Sequence, residues 1–267
     1  MRALAFLASR FVAGERPQDA VRVGERLKAR GINASFDELG EDVHDREAAG
    51  RATRSACALL RMIPKGVERN ISIKMSSMGQ QISRELCVEN VSQILDAARE
   101  TDGFVRLDME GSKLTENTIS VFQELRKRYD NVGIVLQAYL HRTPDDVREA
   151  VRRKDRVRLC KGAYSEPPEV AIQDMAEVRK AFAAGAHELL ANGNYPAIAT
   201  HDEELVGEAI AHTRAARIGP ERFEFQMLYG LRPKRWEELV ADGFRMRLHN
   251  ALFDERNQHQ PGVVLCR

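Results

Sequence analysis

Short runs of apolar and β-branched residues alternate along the chain with longer amphipathic segments. The short runs predict eight β-strands, at Ile32–Phe36, Asn70–Met75, Phe104–Met109, Val132–Ala138, Arg156–Cys160, Ala197–Thr200, Phe223–Met227 and Arg245–His249. The longer segments predict helices, among them Ser83–Arg99, Thr115–Arg128, Pro168–Ala191 and Glu203–Ala216. Such alternation is typical of a parallel sheet, and eight strands without a reversal favour an α/β fold of the closed (β/α)8 TIM-type barrel class.

Residues that stabilise helix amino termini support three of the predicted helix boundaries. Thr143 is predicted to be an N-cap because Pro144 and two acidic residues follow it. Thr115–Asn117 and Asp202–Glu204 place polar and acidic side chains where the positive end of a helix dipole favours them.

Almost every predicted strand ends in polar residues that are capable of chemistry. They are Asp37 and Glu41, Lys74, Asp108 and Glu110, Gln137, Arg158 and Lys161, His201 and Asp202, and Gln226. In a barrel the carboxyl ends of all strands open on one face, where barrel enzymes have their active sites. Solvated loop ends explain one or two such residues, whereas a series of successive strand ends favours a functional cleft.

Composition agrees with one ordinary globular domain. The 267 residues are 43% hydrophobic and 30% charged, and 41 basic against 40 acidic residues give a formal net charge of +1. A (β/α)8 barrel takes about 250 residues, so we expect a single domain over residues 1–267. The balanced charge gives no indication of a nucleic-acid partner.

Cysteine use and hydropathy indicate a cytoplasmic protein. The four cysteines are scattered without a CxxC spacing, which is typical of reduced thiols. The apolar start of the chain is followed by Gly14, Glu15 and Arg16 rather than by a signal cleavage site. No run approaches the ~18 apolar residues of a membrane span, so we expect any membrane association to be peripheral, on the inner face.

Familiar cofactor and metal motifs do not occur. The sequence contains no GxGxxG after a strand, no GxxxxGK[ST] and no HExxH. The seven histidines show no metal-ligand spacing with cysteines or carboxylates. We therefore expect no metal site.

Six longer strings, in order and at similar spacing, resemble the conserved blocks of the proline dehydrogenase family. They are ISIKMSSMG at Ile71–Gly79, RLDMEGS at Arg106–Ser112, IVLQAYL at Ile134–Leu140, RLCKGAY at Arg158–Tyr164, ATHD at Ala199–Asp202 and FEFQMLYG at Phe223–Gly230. RFVAGE at Arg10–Glu15 and LGE at Leu39–Glu41 resemble the family as well, and the likeness extends from about Leu7 to Leu248. Six ordered blocks are far more specific than any single short motif.

The resemblance implies a flavin enzyme of the bacterial monofunctional type that holds FAD non-covalently at the carboxyl ends of its strands. L-proline then loses a hydride to flavin N5 and becomes Δ1-pyrroline-5-carboxylate, the first step of proline catabolism to glutamate, and a membrane quinone takes the electrons. By the same resemblance Asp108 and Arg158 are the catalytic residues. A guanidinium beside N5 stabilises the anionic reduced ring.

Further roles follow from the resemblance for binding residues. The resemblance implies that Lys74 provides a point charge for the substrate carboxylate. It also implies that Tyr164 and Glu166 form part of the wall of the substrate pocket. Cofactor contacts are implied for Met109, Gln137, Lys161, Gly162, Ala163, Thr200 and His201. Gln137 can donate and accept at the polar edge of the ring, and Gly162 permits close backbone approach. Gln226 and Tyr229 are expected near the barrel mouth.

The resemblance ends in the eighth predicted strand and the tail. Family members continue with a tyrosine and then a helix carrying two adjacent arginines that pair with the proline carboxylate. Here His249 stands at the tyrosine position, and the atypical tail of residues 249–267 has no Arg-Arg pair. We therefore expect a distorted barrel whose final helix is missing or replaced, with Glu41 left without its arginine partner. A frame shift is one hypothesis for Asn257–Gly262, and resequencing the coding DNA past Leu248 tests it.

Three alternatives to an active proline dehydrogenase stay open. The first is a relative that binds flavin but is catalytically impaired, because one lysine cannot reproduce a bidentate arginine clamp. The second is a Schiff-base aldolase on the same barrel, with Lys74 or Lys161 as the nucleophile. The third is a binding or scaffold module.

Overall fold

A computed structural model describes residues 16–38, 40 and 42–252 of the chain. The expectations that rest on RFVAGE at residues 10–15, on Leu39 and Glu41, or on the tail beyond Leu252 lie outside these residues. Among the described residues, no helix combines the length and the apolar character needed to cross a bilayer.

Strands and helices alternate as the hydrophobic pattern predicts. The strands are β1 Asn33–Glu38, β2 Asn70–Ile73, β3 Phe104–Leu107, β4 Val132–Gln137, β5 Arg156–Cys160, β6 Ala197–Ala199, β7 Glu224–Leu228 and β8 Met246–Leu252. The α-helices are α1 Pro17–Lys28, α2 Arg46–Met62, α3 Arg84–Glu100, α4 Ser112–Leu125, α5 Thr143–Arg152, α6 Met175–Asn192, α7 Glu203–Ala215 and α8 Pro233–Ala241. A short 3-10 helix, Pro220–Arg222, precedes β7.

The eight strands form one closed parallel barrel. They pair in chain order, and β8 closes on β1 with Asn33 beside Arg247 at one end and Glu38 beside Leu252 at the other. The predicted (β/α)8 TIM-type barrel is confirmed. All eight predicted strands form, and their limits differ from the predicted ones by a few residues at most.

Side-chain alternation along the strands separates an apolar layer from a polar barrel interior. On β3, Val105 and Leu107 point outward into the hydrophobic core beneath the helices, so Arg106 between them points inward. On β5, Val157 and Leu159 likewise face the core while Arg158 faces inward. Barrel interiors are usually filled by branched apolar side chains, so this polar interior is unusual.

Helix α1 precedes the first strand and packs against both β1 and β8. The amide of Asn250 on β8 donates to the carbonyl of Ala20 on α1 at 3.1 Å. In a regular (β/α)8 barrel, the helix that follows β8 covers these two strands. That position is therefore filled here by the helix at the start of the barrel.

Three predicted helix starts need correction. Helix α4 begins at Ser112 rather than at Thr115, and α6 begins at Met175 rather than at Pro168, after the N-cap Asp174. The N-cap of α5 is Arg142, so Thr143 is already helical, and its hydroxyl donates to the carbonyl of Gln137 at 2.5 Å. The predicted start of α7 is confirmed, since the Asp202 side chain accepts from the backbone N–H of Glu204.

Candidate active site

Arg158 lies at the centre of a hydrogen-bond cluster inside the barrel mouth, the end at which the strands finish. Its Nη1 donates to Asp108 Oδ1 at 3.0 Å, directly after β3. Its Nε donates to Gln226 Oε1 on β7 at 2.6 Å, and its Nη2 donates to Ser72 Oγ on β2 at 3.1 Å. Because all three guanidinium nitrogens have a partner, the plane of the group is fixed by three other strands.

A second cluster joins β1, β2 and β8. The ammonium of Lys74 lies 3.0 Å from Asp37 Oδ2, and His249 Nε2 lies 3.3 Å from the same oxygen. The other ring nitrogen of His249 lies 3.2 Å from the hydroxyl of Ser35. Burial acts to raise the pKa of Asp37, but the charge of Lys74 and the hydrogen bonds of His249 and Lys74 outweigh it and hold that pKa well below its usual range.

The two clusters adjoin one another. Ligand-type atoms of Asp37, Asp108 and His249 all lie within 4.8 Å of one another, a spacing that a metal ion could bridge. Both carboxylates, however, already contact a cation, Lys74 or Arg158, which a metal would have to displace. The absence of a metal site therefore stays a prediction, and the arrangement describes a compact group of paired charges.

Gln137 is the last residue of β4. It stands two residues nearer the mouth than Val135, which is the residue beside Arg158 in the sheet. Its amide nitrogen donates to the carbonyl of Glu110 at 3.0 Å, and its amide oxygen accepts from the N–H of Ala163 at 3.4 Å. Each end of the amide retains one further hydrogen-bonding position. Gln137 thus has a fixed orientation and can still bind a polar ligand.

The segment after β5 packs closely on the segment after β4. Gly162 has a φ of +128°, and a Cβ at this position would overlap the ring of Tyr139. The N–H of Tyr139 also donates to the carbonyl of Lys161 at 2.8 Å. Only glycine fits here, as the sequence indicated for close backbone approach.

Two cations share one carboxylate at the ends of β5 and β6. Lys161 lies 3.0 Å and Arg179 lies 2.7 Å from the same oxygen of Asp202. Burial opposes ionisation of Asp202, yet the hydrogen bonds of Arg179 and Lys161 lower its pKa. Arg179 also lies 3.7 Å from the exposed carboxylate of Glu204, so Asp202 is the buried anion that holds Lys161 at the mouth.

His201 lies near the cations Lys161 and Arg232. The backbone N–H of Leu228 donates to His201 Nε2 at 2.8 Å, so this nitrogen carries no proton. Burial first, then the charges of Arg232 and Lys161, lower the pKa of His201 to about 4. Its neighbour Thr200 is buried and accepts from the N–H of Asp202 at 3.1 Å.

Two further predicted site residues, Met109 and Tyr164, follow Asp108 and Gly162 along the chain. Met109 is buried directly after Asp108, within the apolar core. Tyr164 is half-buried in the segment after Gly162. Two residues further on, Glu166 reaches the start of α4, where its carboxylate accepts from the N–H of Ser112 at 2.6 Å.

The mouth residues fit a flavin nucleotide. The cations Lys161 and Arg179 suit a pyrophosphate, since ammonium and guanidinium groups form strong hydrogen bonds to phosphate oxygens. Arg158 would supply a fixed cation for the negative charge that a flavin ring gains on reduction, and Gln137 would supply a donor and an acceptor. The donor set therefore matches both ends of such a cofactor.

Some of these residues were predicted only as polar strand ends, and others were not predicted at all. Asp37 and Gln226 were expected near the mouth, but without a role. Ser72, which completes the shell of Arg158, was not singled out. Side chains two residues apart on a strand point to the same face. Ser72 stands two residues before Lys74, so this period of two could have placed Ser72 on the inward face.

A closed (β/α)8 barrel with charged side chains converging at the carboxyl ends of its strands defines a barrel enzyme with its active site at that end. The family model described as proline dehydrogenase matches residues 20–252. The chain belongs to the proline dehydrogenase family. The family consists of oxidoreductases that in general depend on a flavin, and oxidation of proline is the expected reaction.

Individual relatives agree with this assignment. The chain is 35% identical over 243 residues to Proline dehydrogenase 1 of Bacillus subtilis (strain 168), which covers 91% of this chain and 80% of the relative. It is 35% identical over 252 residues to Proline dehydrogenase of Deinococcus radiodurans, with the same coverage of 91% and 80%.

A solved structure shows the same barrel. The structure of proline utilization A (PutA) from Bdellovibrio bacteriovorus, inactivated by N-propargylglycine, is similar with a TM-score of 0.84 and 25% identity. The similarity covers 92% of this chain and 31% of that chain. This chain therefore spans about a third of the longer protein.

Proposed function

We propose that the barrel mouth binds FAD non-covalently and that the chain oxidises L-proline to Δ1-pyrroline-5-carboxylate, the first step of proline catabolism to glutamate. When bound, the flavin supplies the hydride acceptor, and a membrane quinone takes the electrons afterwards. The observation that carries this proposal is the fixed guanidinium of Arg158, held through all three nitrogens.

Arg158 and Asp108 form the catalytic pair of this proposal. A fixed cation stabilises charge that develops nearby without reorganising during the reaction. Asp108 lies 3.0 Å from Arg158 Nη1 and keeps the guanidinium in place while offsetting its charge. The pair is largely buried, which strengthens its field relative to water.

Lys74 and Tyr164 bind the substrate in this proposal. The ammonium of Lys74 is a point charge for the proline carboxylate, and Asp37 holds it in position at 3.0 Å. Asp37 Oδ1 is buried without a hydrogen-bond partner among the described residues. A buried acceptor of this kind favours a donor such as the substrate amine.

The cofactor contacts divide between the ring and the phosphates. Met109 and Gln137 would contact the ring, and Gln137 is fixed by Glu110. Lys161, Gly162 and Ala163 would follow the phosphates and ribityl chain, and Asp202 holds the ammonium of Lys161 at 3.0 Å. Thr200 and His201 would complete the contacts from the end of β6.

A cytoplasmic location agrees with this function. The quinone acceptor lies in the membrane, so the protein would have to reach it from the inner face as a peripheral partner. No helix among the described residues is able to span a bilayer. Vesicles that contain a quinone test this contact, since electron transfer to them requires association with the surface.

A specific observation favours a weaker second candidate, a relative that binds flavin but oxidises proline poorly. Lys74 is already paired with Asp37, so it offers less counter-charge to a substrate carboxylate than a free cation. The aldolase alternative is less favoured, because Lys74 and Lys161 each lie 3.0 Å from a carboxylate that stabilises the protonated amine.

Flavin absorbance and anaerobic reduction separate these candidates. The purified protein is expected to be yellow, and L-proline is expected to bleach it in the absence of oxygen. A yellow protein that L-proline does not bleach identifies the impaired relative. A colourless protein that gains no flavin on addition of FAD contradicts the proposal, and borohydride trapping with a carbonyl substrate then tests the aldolase.

A further inference from the structure

A buried ion pair lies inside the barrel, below the mouth. Glu224 on β7 and Arg247 on β8 are each 1% exposed. Arg247 Nε lies 2.8 Å from Glu224 Oε1, and Arg247 Nη2 lies 3.0 Å from Glu224 Oε2. Arg247 also contacts Glu68 at 2.8 Å, and that carboxylate is 40% exposed. The ion pair is bidentate and fully enclosed.

The carboxylate of Glu224 also contacts Gln226, which is one of the hydrogen-bond partners of Arg158. The amide nitrogen of Gln226 donates to Glu224 Oε1 at 2.5 Å. The amide oxygen of Gln226 accepts from Arg158 Nε at 2.6 Å. Glu224 and Gln226 stand two residues apart on β7, so both side chains point into the barrel.

The orientation of the Gln226 amide decides whether it can hold Arg158. An arginine only donates hydrogen bonds, so Gln226 must present its oxygen and not its NH2 group. An ionised carboxylate only accepts hydrogen bonds, so Glu224 binds the NH2 end and turns the oxygen toward Arg158. A residue at position 224 that can both donate and accept hydrogen bonds would no longer select one orientation of the Gln226 amide.

We propose that Glu224 is a positioning residue for the reaction: it fixes the amide of Gln226, which in turn fixes the guanidinium of Arg158. The functional part of this inference rests on the proposed flavin site. Arg247 keeps Glu224 charged inside the barrel. Burial alone raises the pKa of Glu224, but the charge and hydrogen bonds of Arg247 outweigh it and lower that pKa to about 2.

The test uses Glu224→Gln and the matched control Glu68→Gln. Each variant removes one carboxylate charge from Arg247, but only Glu224 contacts Gln226. The NMR signal of the Arg158 Nε–H group, assigned by its loss in Arg158→Lys, reports the bond to Gln226 with or without a flavin. We expect at least about tenfold faster solvent exchange of this proton in E224Q, and no change in E68Q.

The flavin-loaded protein gives a second measurement. In E224Q the rate at which L-proline reduces the flavin is expected to fall about tenfold, with the Kd for proline unchanged, because only the alignment of Arg158 is altered. A colourless wild-type protein would contradict the proposed function, and the NMR comparison would still decide the role of Glu224.

A double variant covers the case in which E224Q does not fold. Glu224→Gln with Arg247→Met also removes the buried cation, which in E224Q would keep only the partly exposed Glu68 as a partner, and replacing a buried ion pair is often tolerated. The same faster exchange of the Arg158 proton is expected in it. An unchanged Arg158 signal in either folded variant, or an equal change in E68Q, would overturn the inference.

Discussion

The guanidinium of Arg158 lies 3.0 Å from the carboxylate of Asp108, although β4 separates their two strands in the sheet. Their contact therefore crosses the interior of the barrel and does not run along neighbouring strands. Ser72 and Gln226 hold the same guanidinium from β2 and β7. The position of Arg158 thus depends on closure of the whole barrel, and each partner can be removed separately.

Asp108→Asn is expected to slow reduction of the bound flavin by L-proline about tenfold to hundredfold, as is usual when one member of a catalytic electrostatic pair is lost. Gln226 and Ser72 still hold Arg158 in this variant, so flavin content should remain near the wild-type value. Stopped-flow absorbance of the flavin gives the rate, and the spectrum of the isolated protein gives the content.

Asp155→Asn is the matched control for that variant. Asp155 is also a buried carboxylate, paired with Arg126 at 3.0 Å and Arg153 at 3.1 Å, but it stands at the opposite, amino end of β5. Both variants should lose stability, on the order of 3–5 kcal/mol. If Asp155→Asn slowed flavin reduction as strongly as Asp108→Asn, the effect would be one of stability and not of the site.

Gly162→Ala is expected to reduce both stability and flavin binding. The residue has a φ of +128°, and a Cβ there would overlap the ring of Tyr139. Backbone strain costs about 1–3 kcal/mol, and overpacking adds about 1–3 kcal/mol. Urea unfolding measures the loss of stability, and FAD titration measures the loss of binding.

Gly66→Ala separates the cost of backbone strain from the cost of overlap with the Tyr139 ring. Gly66 also has a positive φ, +99°, but a Cβ there would meet no atom within 4 Å. We expect this variant to show only the backbone strain and to leave FAD binding unchanged. Equal losses of stability in the two variants would contradict the steric role of Tyr139.

Much of the barrel could be predicted from the sequence because each strand has a local signal. Apolar runs, N-cap residues and polar strand ends all lie within a few positions of the elements that they define. Asp202 is an example, because the cap and the helix that it starts are adjacent in the chain. Local signals of this kind do not depend on the rest of the fold.

The errors occur where the deciding contact comes from far away in the sequence. Helix α4 starts at Ser112 because Glu166, 54 residues later, accepts the hydrogen bond from its N–H. Glu224 and Gln226 could not be given roles, because their contacts with Arg247 and Arg158 exist only after the barrel has closed. A period of two predicts which face of a strand they occupy, but not what they meet there.

Stability is expected to decrease below neutral pH because of His201. Burial and the charges of Arg232 and Lys161 lower its folded-state pKa to about 4 from the ordinary 6.5. Between these values the unfolded chain binds a proton that the folded protein does not, so stability is complete above about pH 6.5 and falls as the pH decreases toward 4.

His201→Gln tests this assignment, since a glutamine oxygen can still accept from the N–H of Leu228. Between about pH 7.5 and about pH 5 the wild type should lose roughly 1–2 kcal/mol more than the variant. Urea unfolding of both proteins at the two pH values measures the difference. Equal losses in the two proteins would show that other groups cause the pH dependence.

Lys161→Gln is expected to weaken FAD binding through the phosphates. Lys161 and Arg179 both contact the carboxylate of Asp202, and the variant removes the cation that the proposal assigns to the pyrophosphate. Loss of one charge-assisted hydrogen bond, about 1.5–3 kcal/mol, raises the Kd for FAD at least about tenfold. Riboflavin has the same ring without phosphates, so its affinity should be unchanged. Titration of flavin-free protein with both ligands measures the two constants, and an equal loss for riboflavin would place Lys161 beside the ring and not the pyrophosphate.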